Sequence, residues 1–440
     1  MSKKVRLGVV LVVGLLFTGM VVSGAFGAKK LSLLTEEASP EAMDIMDRTV
    51  KAYQAKHPDV QIISEFITWD EFYPRMMASI AAGNPPEIIK TDVNETNELV
   101  VKGWLLPMTD VIDRFGAEDF MGYSRCVIDG KDWTLPVEYG TDVLYYRKDW
   151  FTKAGLEAPK TWKDWLEAAS TLTEDVNGDG IIDRWGQVVP MNRTRTISEF
   201  FLNLLWGNGA TIMAEEEYEE LGPEDITLEG PRTKEALVFL KKLYHYSPPG
   251  SPTYSWGEMR NVYYTGKVAM TQYEGRVLHE TLTYAPEIAA VTGAVSIPTP
   301  TGEPGPTAAS VGGYVVSKGC KYPEEAKDFI AFMATGKLFI EFLHSVPGHY
   351  IPPMKSIVWS DEYWDHPVFK KYGDIIKTLI GANERGIPLN REWRTPNPVT
   401  SEIIGGLVLT DMIQDYIVKG TPIDEALSKC IEEIKEHMPK

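Results

Sequence analysis

Apolar residues along this 440-residue chain recur with two periods, and the two kinds of segment alternate from end to end. Short apolar runs predict strands over 30–35, 60–67 and 87–91, while spacings of three and four predict helices around 42–56 and through 75–82, the latter ending at Gly83. Near Thr161 the start signals coincide: Thr161 and Asp164 have the spacing of a capping box, and Trp162, Trp165, Leu166, Ala169 and Leu172 fall on one helical face. Pro323 opens a helix with Ala326, Phe329, Ile330 and Met333 inward, and Thr421-Pro422 opens another with Leu427, Cys430, Ile431 and Ile434 inward. Strands separated by helices fold as sheets covered by helices, so the pattern predicts an α/β protein. At roughly 150 residues per domain the length predicts two or three of them. Pro and Gly concentrate at 247–252 and 298–313, both short enough to be ordered loops.

Composition narrows the class. Hydrophobic residues are 44% and charged residues 24%, values that exclude wholesale disorder and a multi-span membrane protein. The 44 Lys+Arg against 62 Asp+Glu give a net charge of −18, the wrong sign for a phosphate backbone or an anionic lipid surface, so no nucleic acid is expected as partner. Residues 1–28 have the layout of a secretory signal peptide: Lys3, Lys4 and Arg6, an uncharged stretch over 7–22, then small residues with cleavage pairs at Ser23/Ala25 and Ala25/Gly27. An uncleaved anchor helix is the alternative, although Gly8, Gly14 and Gly19 interrupt the apolar run. No Cys lies near the cleavage region, so a lipid anchor is not expected, and losing the three cations takes −18 to −21. The expected mature protein is exported, soluble and periplasmic. Cys126, Cys320 and Cys430 are an odd number, widely spaced, with no C-x-x-C motif, and Cys430 reads as a core residue.

Enzyme signatures are missing: no G-x-S-x-G elbow, phosphate loop, H-E-x-x-H or G-x-G-x-x-G occurs. His344 and His349 straddle Pro347-Gly348 and read as loop or surface residues. One motif carries a mechanism. Asp175, Asn177, Asp179, the carbonyl of Ile181 and Asp183 occupy positions 1, 3, 5, 7 and 9 of an EF-hand-like loop with Gly180 at position 6. Gly186 stands where the bidentate Glu would be. The loop reads either as a structural Ca²⁺ clip or as an Asx-rich turn, and no other cofactor is called for.

Several stretches together resemble a known family. The segment 78–89 (ASIAAGNPPEII) is similar to its helix, Gly, polar residue and buried strand, and 103–108 (GWLLPM) to its G-x-L-x-P-L turn. The run 135–137 (LPV), 141–150 (TDVLYYRKDW) and 151–165 (FTKAGLEAPKTWKDW) resembles its most characteristic stretch, with Arg147 where Asn is usual. The segment 264–270 (YTGKVAM) resembles F-x-x-G-K-x-A-M, and 298–332 the P-x-P-x-G loop, Gly-Gly, strand and Pro-capped helix. On these residues the chain resembles the extracellular solute-binding proteins of ABC importers, in the maltose-binding-like sugar subgroup (family 1).

The resemblance implies a two-lobed periplasmic-binding-protein fold, each lobe a sheet covered by helices, joined by a multi-segment hinge. Lobe one would be 29–140 plus 276–345 and lobe two 141–275 plus 346–440, with crossings near 137–143, 272–276 and 347–353. The implied function is capture of a carbohydrate, an oligosaccharide by preference, by a monomer that is not an enzyme and that hands the solute to the membrane permease subunits of an ABC transporter. A sugar offers apolar faces and a rim of hydroxyls, so aromatic planes beside carboxylates, amides and Arg are the expected contacts. The candidates are Trp69 and Tyr73 before the first cleft-side helix; Asp92, Asn94 and Glu95 after the strand over 87–91; Glu138 and Tyr139 at the first crossing; and Trp206, Tyr254 and Trp256. Glu274 and Arg276 at the second crossing, Gly312, Gly313 and Tyr314 opening a cleft-facing strand, and Trp393 with Arg394 in a polar loop complete the set. Trp162 and Trp165 read as packing residues. Arg193, Arg195, Arg276, Arg391 and Arg394 keep an acidic sugar or a glycerol-phosphate-type ester open as the ligand. A secreted carbohydrate-active enzyme and a binding protein that feeds a chemoreceptor are the remaining alternatives.

Overall fold

The computed structural model describes residues 28–36, 39–214, 222–389, 392 and 398–438. Residues 1–27 of the expected signal peptide and the candidates Arg391, Trp393 and Arg394 lie outside the described residues. The predicted alternation is present: β1 (Lys29–Thr35), the helix Pro40–Lys56, β2 (Val60–Phe66), the helix Trp69–Ala81 and β3 (Ile88–Asp92) follow one another. The second helix begins at Trp69, ahead of the spacing that marks it near Arg75.

Among the described residues nine further strands follow: β4 (Leu105–Leu106), β5 (Val127–Ile128), β6 (Lys131–Asp132), β7 (Leu135–Thr141), β8 (Val143–Arg147), β9 (Met270–Tyr273), β10 (Thr292–Val295), β11 (Thr307–Ser317) and β12 (Gly386–Pro388). A seven-stranded sheet has the order β12-β11-β3-β1-β2, with β4 and β7 also paired to β11. A three-stranded sheet has the order β10-β8-β9, and β5 and β6 form a separate pair. β1 is parallel to β2 and β3, whereas β11 runs antiparallel to β3 and β7. Strands covered on both faces need apolar residues at consecutive positions. Accordingly Leu33, Ile88 and Val316 join one core while their neighbours Leu34, Ile89 and Val315 join another on the opposite face.

The second lobe has its own core. There the helices Trp162–Thr171, Arg195–Gly207, Pro231–Tyr244, Val408–Ile417 and Ile423–Glu436 bury Trp165, Phe201, Leu240, Ile413 and Cys430 with Leu144 of β8 and Met270 of β9. The capping box at Thr161 is formed: its Oγ1 accepts the Asp164 N–H at 3.1 Å, and Asp164 Oδ2 accepts the Thr161 N–H at 2.9 Å. Trp162 stacks on Phe239 at 4.3 Å and Trp165 donates its Nε1 proton to Gln187, the packing role read from their spacing. Arg147 holds Asp149 through two hydrogen bonds and lies over Trp150, a local use for the residue at the position where Asn is usual.

The molecule is a two-lobed α/β protein, and the chain passes from the larger sheet to the smaller through one residue, Asp142. Two limits drawn from the sequence move. β10, expected in lobe one, pairs with β8 in the smaller sheet. Much of 346–389, expected in lobe two, packs with the first: Ile351, Val358, Tyr363, Phe369 and Leu379 bury in the core that takes in the larger sheet, and β12 pairs with β11, whereas Leu389 joins the second lobe's core. Most of these apolar faces are complementary to the first core, and the sequence pattern alone does not say which of two cores a face meets. Cys126, Cys320 and Cys430 form no disulfide among the described residues, where no helix is long and apolar enough to cross a membrane.

Candidate functional site

Between the lobes lies a cavity of about 570 Å³, within the roughly 300–1,000 Å³ of small-molecule pockets. The carboxyl ends of β1 and β3 bring Glu36, Lys90 and Asp92 to its wall, β7 brings Glu138, and the first half of β11 brings Ala308, Ala309 and Ser310. This is the edge at which open α/β sheets present ligand contacts. The facing wall comes from the other lobe: Arg195 and Glu199 on the helix Arg195–Gly207, Trp256 and Arg260 on the helix Trp256–Tyr264, and Tyr273 and Glu274 at the end of β9. The lobes also touch where the helix Val93–Val101 meets the helix Pro398–Gly405.

A buried cation must be paired, and Lys90 is 1% exposed. Its Nζ is 2.6 Å from Glu36 Oε1 and 2.9 Å from Glu138 Oε1, and it lies 5.8 Å from the centre of the Tyr350 ring. On the opposite wall Arg195 lies over the Trp256 ring with its Nε 3.1 Å from Glu199 Oε1, while Trp256 Nε1 donates to Glu199 Oε2 at 3.3 Å. Arg260 pairs with Glu280 at 2.9 Å across the Tyr273 ring. Asp92 Oδ2 accepts from Ser310 Oγ and the Val311 N–H, and Asp142 Oδ2 accepts from the Asn203 and Gln272 amides.

Crowded carboxyls in a dry site resist ionisation. Burial, reinforced by the charge of Glu199, pushes the Asp142 carboxyl up to about 7. Burial and then Asp92 push Glu95 up to about 8, against the pull of Arg195. Glu199 is raised by burial, and Glu274 well above the ordinary carboxylate range by burial and by Asp142, Glu199 and Asp92. His349, whose Nδ1 is 3.3 Å from Glu274, is driven well below its usual value by burial and by Arg276, Arg260 and Lys90, so it is neutral near pH 7.

Of the candidates, Asp92, Glu138, Trp256, Glu274 and Arg276 line this cavity. Glu95 lies behind Asp92 with Oε2 shielded from water. The others serve elsewhere. Tyr73 is 42% exposed and donates to Glu98, Tyr139 is buried and donates to the Gly386 carbonyl across to β12, and Trp206 is buried and donates to Glu392. The Tyr254 ring packs over Gly250. Gly312 and Gly313 sit mid-strand at an irregularity of the β11–β7 pairing, where a Cβ at Gly313 would come within 2.5 Å of Thr134 Oγ1, and Tyr314 is buried in the core. These positions follow strand and helix packing that local polarity does not report. Trp69 and Asn94 occupy the first turns of the helices Trp69–Ala81 and Val93–Val101. Sequence reasoning missed Glu36, Lys90, Asp142, Glu199, Arg260, Tyr273 and Tyr350, and read His349 as a loop or surface residue. A signal existed for two: Lys90 interrupts the apolar strand IIKTD, and Glu199 interrupts the apolar helix RTISEFFLNLLWG. Arg193, one of the arginines weighed for an anionic ligand, instead pairs bidentately with Asp411 at 2.7 Å outside the cavity.

The loop carrying Asp175, Asn177, Asp179, Ile181 and Asp183 turns its side chains inward on its own backbone. Asp175 accepts the N–H groups of Gly178, Asp179 and Gly180, Asn177 accepts from Asp179, Asp179 from Ile181, and Asp183 from Val176 and Asn177. No three His, Cys, Asp or Glu side chains among the described residues converge to hold a metal ion. These internal bonds are those of an Asx-rich turn.

Two α/β lobes facing one another across a polar cavity define a two-lobed binding protein. Over residues 37–337 the chain matches the family model described as bacterial extracellular solute-binding protein, and it belongs to that family. An arabinooligosaccharide-binding protein of Halalkalibacterium halodurans is 26% identical over 427 residues, covering 90% of this chain and 87% of the relative. A putative ABC transporter periplasmic-binding protein of Escherichia coli is 23% identical over 360 residues, covering 80% and 79%. Among solved structures, a solute-binding protein of Thermotoga lettingae bound with α-D-tagatose superposes with a TM-score of 0.76 at 18% identity, covering 94% of this chain and 100% of that one. A maltose-bound protein of T. maritima gives 0.75 at 19% identity, covering 92% and 99%. These two likenesses bear on the fold.

Proposed function

We propose that this protein captures a carbohydrate between its lobes and delivers it, unaltered, to the membrane subunits of an ABC importer, acting as an exported monomer. The observation that carries this reading is the composition of the cavity: the Trp256 ring on one wall beside carboxyls and guanidinium groups on both. Such a lining suits a solute with apolar ring faces and a hydroxyl rim. A ligand that touches Asp92 and Glu138 on one lobe and Trp256 and Glu274 on the other binds the closed form better than the open one and shifts the population toward it. The arabinooligosaccharide-binding relative supports the same class of solute. Because a carboxyl-rich wall opposes anions, the acidic-sugar and glycerol-phosphate reading is the weaker one.

A thermal-shift screen of the purified protein against pentoses, hexoses, polyols and oligosaccharides tests the proposal. A true ligand at 100 times its dissociation constant stabilises by about 2.7 kcal/mol and is recovered intact by chromatography. No shift with any member of the panel, or release of shortened sugar, overturns it.

A further inference from the structure

Resting on the carbohydrate reading, the balance of charge in the cavity specifies the solute further. Eight carboxyls line it, Glu36, Asp92, Glu138, Asp142, Glu199, Glu258, Glu274 and Glu280, against four basic side chains, Lys90, Arg195, Arg260 and Arg276. Most of the basic charge is already committed. Lys90 is shared between Glu36 and Glu138, Arg195 lies against Glu199, and Arg260 against Glu280. Glu258 is taken up by capping Ser255. Glu36 is about nine-tenths buried, its side chain 9% exposed, and its Oε2 has no hydrogen-bond partner among the described residues. On the same cavity, Asp92, Asp142 and Glu199 stand near enough to oppose the ionisation of Glu274.

An excess of carboxyls over cations in a site withdrawn from water is costly unless they take up protons or a cation enters. Water excluded by lobe closure sharpens that cost, because charge interactions strengthen as the local dielectric falls. A neutral guest leaves the excess in place and an anion adds to it. A guest with an ammonium group supplies the missing charge and can accept hydrogen bonds at its hydroxyls from Arg195, Arg260 and Arg276.

We propose that the solute is a hydroxylated cation of the amino-sugar class, whose ammonium group sits among Glu36, Asp92, Asp142 and Glu274. Its entry ionises carboxyls that hold protons in the empty cavity, so binding releases protons to solution. His349, Lys90, Arg276 and Arg260 also face this group and are the other charges that set its proton balance.

Titration calorimetry at pH 7, in two buffers of different ionisation enthalpy, compares matched pairs in which a single amine replaces a hydroxyl: glucosamine with glucose, and the β-1,4-linked glucosamine dimer and trimer with cellobiose and cellotriose. Neutral pentose oligomers and an aminocyclitol complete the panel. An amine-bearing member should bind at least ten-fold tighter than its hydroxyl counterpart and release protons, and Glu36→Gln and Asp142→Asn should each reduce that preference at least three-fold. Asp142→Asn, which retains an oxygen for the Asn203 and Gln272 amides, keeps the test available if Glu36→Gln folds poorly. Tighter binding of an uncharged sugar, or proton uptake on binding, overturns this inference while leaving carbohydrate capture standing. Silence from the entire panel overturns both.

Discussion

Lys90 shows how one residue can serve the fold and the site together. Replacing one partner of a buried ion group typically costs about 3–5 kcal/mol, since the remaining charges are left uncompensated. Lys90→Met should therefore lower stability in denaturant by about that amount, and the triple variant with Glu36→Gln and Glu138→Gln should recover most of it. Equal stability of the single and triple variants would count against the pairing. Trp256, held by Arg195 above and Glu199 at its edge, is the aromatic plane that the proposed function assigns to the ligand. Trp256→Ala should weaken binding of whichever sugar the screen identifies by about 2 kcal/mol or more, roughly thirty-fold, and calorimetry would reveal an unchanged affinity if the ring is mere packing. Asp142 makes a prediction about pH. Its carboxyl titrates near 7 when folded and near 3.8 as an ordinary aspartate, so the folded state holds a proton that the unfolded state gives up between those values. The stability due to that proton is fully present below the lower value and is lost as pH rises through the upper one. Against the parent protein, Asp142→Asn should gain in melting temperature steadily from pH 4 to 7; a constant difference would remove Asp142 from this role.

At the scale of elements, most of the secondary structure was legible because each segment states its environment twice, in period and in terminal residues. The Thr161 capping box, the Pro-initiated helix Pro323–Met333 and the apolar strand Ile88–Asp92 are instances. What stayed hidden was the assignment of faces to cores. The helix Pro367–Asn383 has an apolar stripe that would suit either lobe, and only the fold puts Phe369, Ile376 and Leu379 in one core with Leu135 and Val137. The junctions are tight as well. A Cβ on Gly275 would come within 1.7 Å of the Gly348 carbonyl oxygen, so Gly275→Ala must displace backbone and should cost about 1–3 kcal/mol in thermal unfolding. The loop over 175–183 satisfies its side-chain oxygens internally, and chelator should leave the melting temperature where it was. A rise on adding Ca²⁺ would restore the metal clip.

At the scale of the whole molecule, the site was half legible. Asp92, Trp256, Glu274 and Arg276 lie at or beside strand ends and helix starts, where sequence order suggests a cleft, and Glu138 lies within β7 at the expected crossing. Lys90 and Glu199 are reached from the interior of elements, Asp142 and Tyr350 from the connections between them, and the four meet only because two lobes fold onto one another. Small-angle scattering with and without a solute found by the screen should give a smaller radius of gyration for the loaded form, and superimposable profiles would remove lobe closure from the mechanism.

Asp142 alone separates β7 from β8, and a two-step span of backbone reaches only about 7 Å. A tether so short has no slack. At this seam the halves can swivel but can neither drift apart nor slide, and the tether itself borders the cavity. On the proposed function, occupancy is thereby written as an angle, which a rigid docking face on the membrane side can gauge without ever touching the cargo.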